Sequence, residues 1–265
     1  PAATDALVSL RNATLFTGGL TLTATAEGSA QASAVVEVVG SQLTSSGPVI
    51  LSAEATVATT GSNAGSVATA TITDSTIVTQ MQVSIRAHND ALLQVTGEDL
   101  AVHLATLTSA AITGDSTVTA AGVTLAAQGS AQVQVAATRA AVVTLAAAPR
   151  VHLAGGDLVA DARSRTLASV TAGRLAVAVA DARTVALLGS DAKLTGARSL
   201  RLVADSTDAT TATGQGAALV SSAVLTRATL APGSPLTLTG DLAVIARLRA
   251  DMTATGSGPA WVVAD

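Results

Sequence analysis

The sequence predicts an all-β fold, a parallel β-helix (β-solenoid), and three observations carry that expectation. Hydrophobic residues make up 49% of the 265 residues, yet aromatics are only 1%, one Phe and one Trp with no Tyr. Aromatic rings fill the irregular volumes of globular cores, so a core without them must be thin and regular enough for Val, Leu, Ile and Ala. Short runs such as Leu20-Thr21-Leu22-Thr23 alternate aliphatic and polar residues, the period-two pattern of half-buried strand. Finally, one phrase recurs: an aliphatic pair, a small residue, another aliphatic, a Gly-containing corner, then an alternating strand that ends in Ala.

The copies run in order along the chain. The first is Val8, Leu10, Leu15, the corner Gly18-Gly19, then Leu20, Leu22 and Ala24. The second is Val36, Val38, Leu43, the corner Ser46-Gly47-Pro48, then Val49, Leu51 and Ala53. Ile72, Ile77, Met81, Val83 and Ile85 make a third, with Gln80 where Gly is expected. Leu93, Val95, Gly97, Leu100, Val102 and Leu104 follow, then Ile112, Val118, Gly122, Val123 and Leu125. Val143, Leu145, Val151, Gly155-Gly156 and Leu158 come next. Leu167, Val170, Gly173, Leu175, Val177 and Val179 continue the series, with Val185, Leu187, Leu194, Gly196, Leu200 and Leu202 behind them. The last copy is Val224, Leu230, Gly233, Leu236 and Leu238.

Strands after the corner therefore begin near residues 20, 49, 81, 100, 123, 158, 175, 200 and 236, about 17 to 36 residues apart, in the range of repeat arrays. Branched Thr and Val favour strand, and a corner Gly admits φ > 0. A helix would need apolar residues at i, i+3 and i+4 with few Thr, Val and Gly, the opposite of what is written. Nine coils, each about 4.8 Å above the last, would make a rod of roughly 40 Å. The spacing lacks the strict hexapeptide of left-handed helices, so the expected hand is right. Ala/Ser/Thr/Gly segments such as "AEGSAQASA" take up the length variation as loops, and the whole chain, 1–265, reads as one domain. A β-sandwich is the alternative fold, but its strands would not repeat one corner phrase.

Composition narrows the function classes. Charged residues are 12% and the formal net charge is −4; no Lys/Arg-rich segment offers a nucleic-acid surface, and Lys193 is the only Lys. A mean hydropathy of +0.52 is the reverse of a disordered composition. Cysteine is absent, which removes disulfides and thiolate chemistry. The most apolar run, Ala140 to Pro149, is far shorter than the roughly 20 residues of a spanning helix, so no membrane insertion is expected. The start at Pro1 has no signal-peptide pattern, so a fragment or processed chain is expected, a segment of a longer repetitive protein.

The phrase Gly-x-[LV]-x-[LV]-x-Ala is written as Gly19-Leu20-Thr21-Leu22-Thr23-Ala24 and Gly122-Val123-Thr124-Leu125-Ala126-Ala127, more loosely as Asp99-Leu100-Ala101-Val102 and Gly156-Asp157-Leu158-Val159-Ala160. Followed by Ala/Ser/Thr/Gly-rich excursions, it resembles very large exported bacterial repeat proteins of the haemagglutinin-like and giant adhesin-like kind, with β-helical stalks. The resemblance implies an extracellular or cell-surface repeat protein and brings no catalytic residue.

The search for chemistry yields candidates with bland alternatives, and neither catalytic, cofactor nor metal residues are assigned. His103 and His152 lie at outward strand positions and would need to meet on one face to hold a metal; His88 stands in "HND". Asp74, Asp99, Asp115, Asp157, Asp191 and Asp205 lie largely at corners, where Asp bonds nearby amides. One cluster fits a carbohydrate-active β-helix enzyme, a lyase or glycosidase: Asp157, Asp161 and Asp181 with Arg163, Arg165, Arg174 and Arg183. Its competitor is a solvated, salt-bridged face, and no aromatic platform for sugar is available. The calcium nonapeptide of β-rolls, the Walker loop, the dinucleotide fingerprint and the Gly-x-Ser-x-Gly elbow are all missing. Thr21, Thr23, Thr25, Thr71, Thr73, Thr117 and Thr119 could align as a flat Thr row of the ice-binding kind, but residues 151–160 and 175–180 break it.

The expected function is therefore structural: a stalk, fibre or adhesive surface, self-associating through its open ends or continuing in a longer parent, with a cell-surface glycan or protein as a further partner. A glycan-binding module is the other non-enzymatic possibility.

Overall fold

The computed structural model describes residues 3–114, 116–153, 158–188, 194–197, 199–230, 236–238 and 240–264, with side chains for all but 117, 138–153, 158, 188, 194–197, 236 and 237. Every regular element among them is a β-strand. In chain order these are β1 (Ala3–Arg11), β2 (Thr14–Thr17), β3 (Leu20–Gly28), β4 (Gln31–Val39), β5 (Gln42–Ser45) and β6 (Val49–Thr59). Then come β7 (Asn63–Thr73), β8 (Thr76–Thr79), the long β9 (Gln82–Thr113), β10 (Thr117–Thr119) and the equally long β11 (Gly122–Leu153). The remainder are β12 (Leu158–Ala172), β13 (Leu175–Leu188), β14 (Leu194–Ala197), β15 (Leu200–Gly214), β16 (Ala217–Leu230), β17 (Leu236–Leu238), β18 (Leu242–Gly256) and β19 (Ala260–Ala264).

Two parallel ladders organise these strands. The first pairs β3 with β6, then the front half of β9, the front half of β11, β12, β15 and β18. The second pairs β1 with β4, β7, the rear half of β9, the rear half of β11, β13, β16 and β19. Short ladders join β2, β5, β8 and β10, and β14 with β17. Parallel partners need a long connection between them; here Leu7 meets Val35, 28 residues on, and Leu219 meets Trp261, 42 residues on. At the bend of β11 the register slips, Ala137 facing Gly97 and Ala140 facing Asp99, one extra residue and hence a β-bulge.

The recurrent phrase becomes three columns. Leu20, Val49, Val83, Val123, Leu158, Leu200 and Leu242 share one register position. Two residues on stand Leu22, Leu51, Ile85, Leu125, Ala160, Leu202 and Val244, and two further on Ala24, Ala53, Ala87, Ala127, Ala162, Ala204 and Ala246. Leu51, Ile85 and Leu125 are fully buried. Neighbouring strands lie about 4.8 Å apart, so like side chains nest along a column, and truncating one to Ala costs about 2–5 kcal/mol.

The expected loop "AEGSAQASA" is strand apart from Ser29 and Ala30, because its small residues alternate between the two faces and continue β3 and β4. The pairing also revises the expected series of nine corner strands. Leu100 and Leu175 begin segments of the second ladder, and Leu236 pairs with Leu194 in a short separate one; the first ladder continues through Leu242 instead. The 175–188 segment also presents the other face. Leu175 is exposed and Val177 and Val179 half-buried, whereas Ala176, Ala178, Ala180 and Ala182 are buried. In "LAVAVADA" both alternating sets are apolar, so alternation alone cannot choose; the charges of Asp181 and Arg183, on the odd set, turn that set outward.

Two corner devices hold the early strands. Asn12, Gly40, Asp74 and Gly114 all adopt positive φ, between 49° and 64°. A side chain at Gly40 would press on Asn12 Oδ1, and one at Gly114 on Asp74 Oδ1, so a short polar side chain and a Gly alternate. Beside them Ser41 and Ser75 bridge strands, the Ala13 amide donating to Ser41 Oγ at 3.2 Å and the Ser41 amide to Ser75 Oγ at 3.1 Å. At the opposite corner Thr17, Ser45 and Thr79 each accept the amide of the residue two ahead, Gly19, Gly47 and Met81. The Thr79 hydroxyl thus turns the chain where Gln80 replaces the expected Gly.

Candidate functional groove

A groove of about 300 Å³ crosses the first ladder, lined by His88, Gln128, Gly129, Ser130, Arg163, Ser164, Arg165, Asp205 and Thr207. It follows from the register. Glu54, His88, Gln128, Arg163, Asp205 and Arg247 form one outward column, and Thr56, Asp90, Ser130, Arg165, Thr207 and Arg249 form the next but one. Strand spacing sets these side chains about 4.8 Å apart along each column.

The enzyme-like cluster expected from the sequence divides in two. Asp161 and Arg163 are joined two residues apart on β12, with Nε donating to Oδ1 at 2.9 Å and Nη2 within 2.6 Å of Oδ2. That pair, with Asp205 nearby, raises the Arg163 pKa and occupies the Asp161 carboxylate. Asp181 and Arg183 make the same pair on β13, in the other ladder, Nε donating to Oδ1 at 3.1 Å. Arg174 stands at the corner between β12 and β13, where its carbonyl accepts from the amides of Gly216 and Ala217. Asp157 lies outside the described residues. Of the proposed set, only Arg163 and Arg165 line the groove, and Arg165 has no ion-pair partner among the described residues.

The histidines are dispersed. His88 belongs to the groove, while His103 is exposed in the second ladder beside Asn63; the side chain of His152 lies outside the described residues. No group of three or more His, Cys, Asp or Glu among the described residues could hold a metal ion. Asp205 lines the groove and Asp74 occupies its left-handed corner, whereas Asp99 faces Ala140; Asp115, Asp157 and Asp191 are outside the description. The Thr positions scatter over ladders. Thr21, Thr23 and Thr25 are continued by Ile50, Ser52 and Glu54, Thr71 and Thr73 belong to the second ladder, and Thr119 pairs with Val78.

A wider, uncharged groove of about 730 Å³ lies nearer the bend, where Gln94 Nε2 donates to Gln134 Oε1 at 2.9 Å. Alternation of polar outward residues could have signalled these grooves only after the register was known, because the residues that meet are 35 to 42 apart in the chain. Among the described residues no helix is long and apolar enough to cross a membrane. No family model, curated protein or solved structure matches the chain.

Proposed function

We propose that the chain is a right-handed β-solenoid section of an exported structural protein, a rigid stalk or fibre whose flank serves as an adhesive surface outside the cell. The observation that supports this reading best is the Ala column Ala24, Ala53, Ala87, Ala127, Ala162, Ala204 and Ala246, one register position reused along the whole first ladder. A chain that writes one residue at one position so often is specified for stacking. On this reading the seven strands of the first ladder and the eight of the second make seven full passes with β19 opening an eighth, and at about 4.8 Å each the passes span roughly 30 Å. Each pass is tied to its neighbours by backbone bonds, so bending the rod breaks ladder hydrogen bonds. Electron microscopy of the native material tests the reading: straight rods or filaments are expected, and isotropic globular particles would refute it.

The groove favours a second element, recognition of an acidic glycan. Arg165, His88 and the hydroxyls of Ser130 and Thr207 offer donors to a carboxylate or sulfate. On a glycan array, binding confined to acidic sugars and lost in Arg165→Ala supports this element. Unchanged turnover of glycans by a variant with Asp157, Asp161 and Asp181 replaced by Asn would dispose of the lyase or glycosidase alternative.

A further inference from the structure

Deep between β12, β13, β15 and β16, polar side chains enter the hydrocarbon core. Ser164, Thr166, Thr184, Ser206, Asp208, Thr210 and Ser222 are each at most 5% exposed. Ser222 Oγ donates to Asp208 Oδ2 at 2.8 Å, and Thr210 Oγ1 lies 3.4 Å from the same oxygen. Six other polar atoms there have no protein partner: Ser164 Oγ, Thr166 Oγ1, Thr184 Oγ1, Ser206 Oγ, Asp208 Oδ1 and Thr226 Oγ1.

Their placement is not scattered. Ser164 pairs with Ser206, Thr166 with Asp208, and Thr184 with Thr226, so the six atoms form three columns, each across two adjacent strands. The Ser222 bond brings the second ladder against Asp208. Small side chains flank these columns. The columns that carry Ile85 with Leu125, and Leu93 with Val133, reach Ala160 and Ala168 in β12. Opposite them β13 turns in Ala176, Ala178, Ala180 and Ala182. Six buried orphans would each cost about 1–3 kcal/mol if left dry, together comparable to the whole net stability of an ordinary domain. Buried polar groups that lack a protein partner are the ones that buried water bridges.

We propose that this section of the core is a hydrated compartment, in which bound water molecules bridge Asp208 Oδ1 to the hydroxyls of Thr166, Thr184, Ser206 and Thr226. Ser164 is both an orphan and part of the wall of the charged groove, so the compartment lies directly behind that groove. The compartment divides the rod into a dry first part and a wet second part.

Two measurements test it. Thr166→Val and Thr184→Val remove a hydroxyl at nearly constant shape. If the hydroxyl binds water, each variant lowers Tm by about 2–4 °C, and Thr166→Ser, which keeps the oxygen, recovers most of the loss. A rise in Tm on either Thr→Val change is what a dry orphan would give and overturns the proposal. On the unaltered chain, nuclear Overhauser transfer from water to the amides of Thr166, Ser206 and Asp208 is expected with the sign of long-lived bound water; its absence overturns the proposal even if a variant fails to fold. Stabilisation by sodium, potassium or calcium chloride beyond that given by choline chloride at equal ionic strength would assign the oxygens to a cation and equally overturn it.

Discussion

Asn89 occupies an inward position that is Ala55 on the strand before and Gly129 on the strand after. It is fully buried, and its amide donates to the carbonyls of Ser66 and Leu107 at 3.0 and 3.1 Å. A buried amide is tolerated when its partners are supplied, and here they come from the facing ladder, so Asn89 cross-links the two. Asn89→Ala leaves those carbonyls and the Ser66 hydroxyl wanting, and about 2 kcal/mol of stability should be lost in urea denaturation. Asp208 behaves differently because it ionises. Burial pushes its carboxyl above the usual range, and the bonds from Ser222 and Thr210 offset only part of that. The folded chain therefore holds this proton more tightly than the unfolded chain. Its contribution is full below the ordinary carboxyl pKa of about 3.9 and is lost as pH rises through the raised folded value. Thermal melts across pH should show Asp208→Asn flattening this fall; an identical profile in the variant would refute the assignment.

At the scale of the element, the corners separate glycines by what they face. A Cβ at Gly47 would lie 2.0 Å from the carbonyl oxygen of Gly18, whereas one at Gly18 meets nothing within 4 Å. Gly47→Ala should destabilise the early strands by about 1–3 kcal/mol, while Gly18→Ala should stay within about 0.5 kcal/mol, both read from chemical denaturation. This pair also marks how far the sequence could be read. The strand character of Leu20-Thr21-Leu22-Thr23 and the corners at Gly18-Gly19 and Ser46-Gly47-Pro48 were legible, because period two and Gly are local signals. Which Gly of a corner is pressed by its neighbour was not, since that depends on the adjacent strand, reached only 28 or more residues later. The same reason hid the Asn12, Gly40, Asp74 and Gly114 corner, whose alternation is visible only down the ladder. For the candidate site, Arg163 and Arg165 were found as charged residues on one strand. Their separation from Asp181 and Arg183 follows from the bend near Arg174, which puts β12 and β13 in different ladders.

Across the whole molecule, stability in such a ladder is carried between neighbours, and the last strand of each ladder has one neighbour instead of two. The consequence is visible on β18 and β19, where Leu242, Val244, Leu248 and Val262 are each 42–50% exposed. Residues in the same columns further back, such as Leu202 above Val244 and Val220 above Val262, are fully buried. An uncovered parallel edge with apolar columns invites another strand, supplied either by further chain or by a second copy whose first ladder opens on Leu20, Leu22 and Ala24. Because those columns carry Leu, Leu or Val, and Ala at both ends, joining them would continue each column without a change of residue class. A charge placed in a column must then be desolvated on joining, which is costly. The expectation is that light scattering of this chain shows concentration-dependent association and that Val244→Lys with Leu248→Lys abolishes it while leaving the circular dichroism of the strands intact. Association that survives the two lysines would move the contact away from this edge, and a strictly monomeric parent at every concentration would remove self-association altogether.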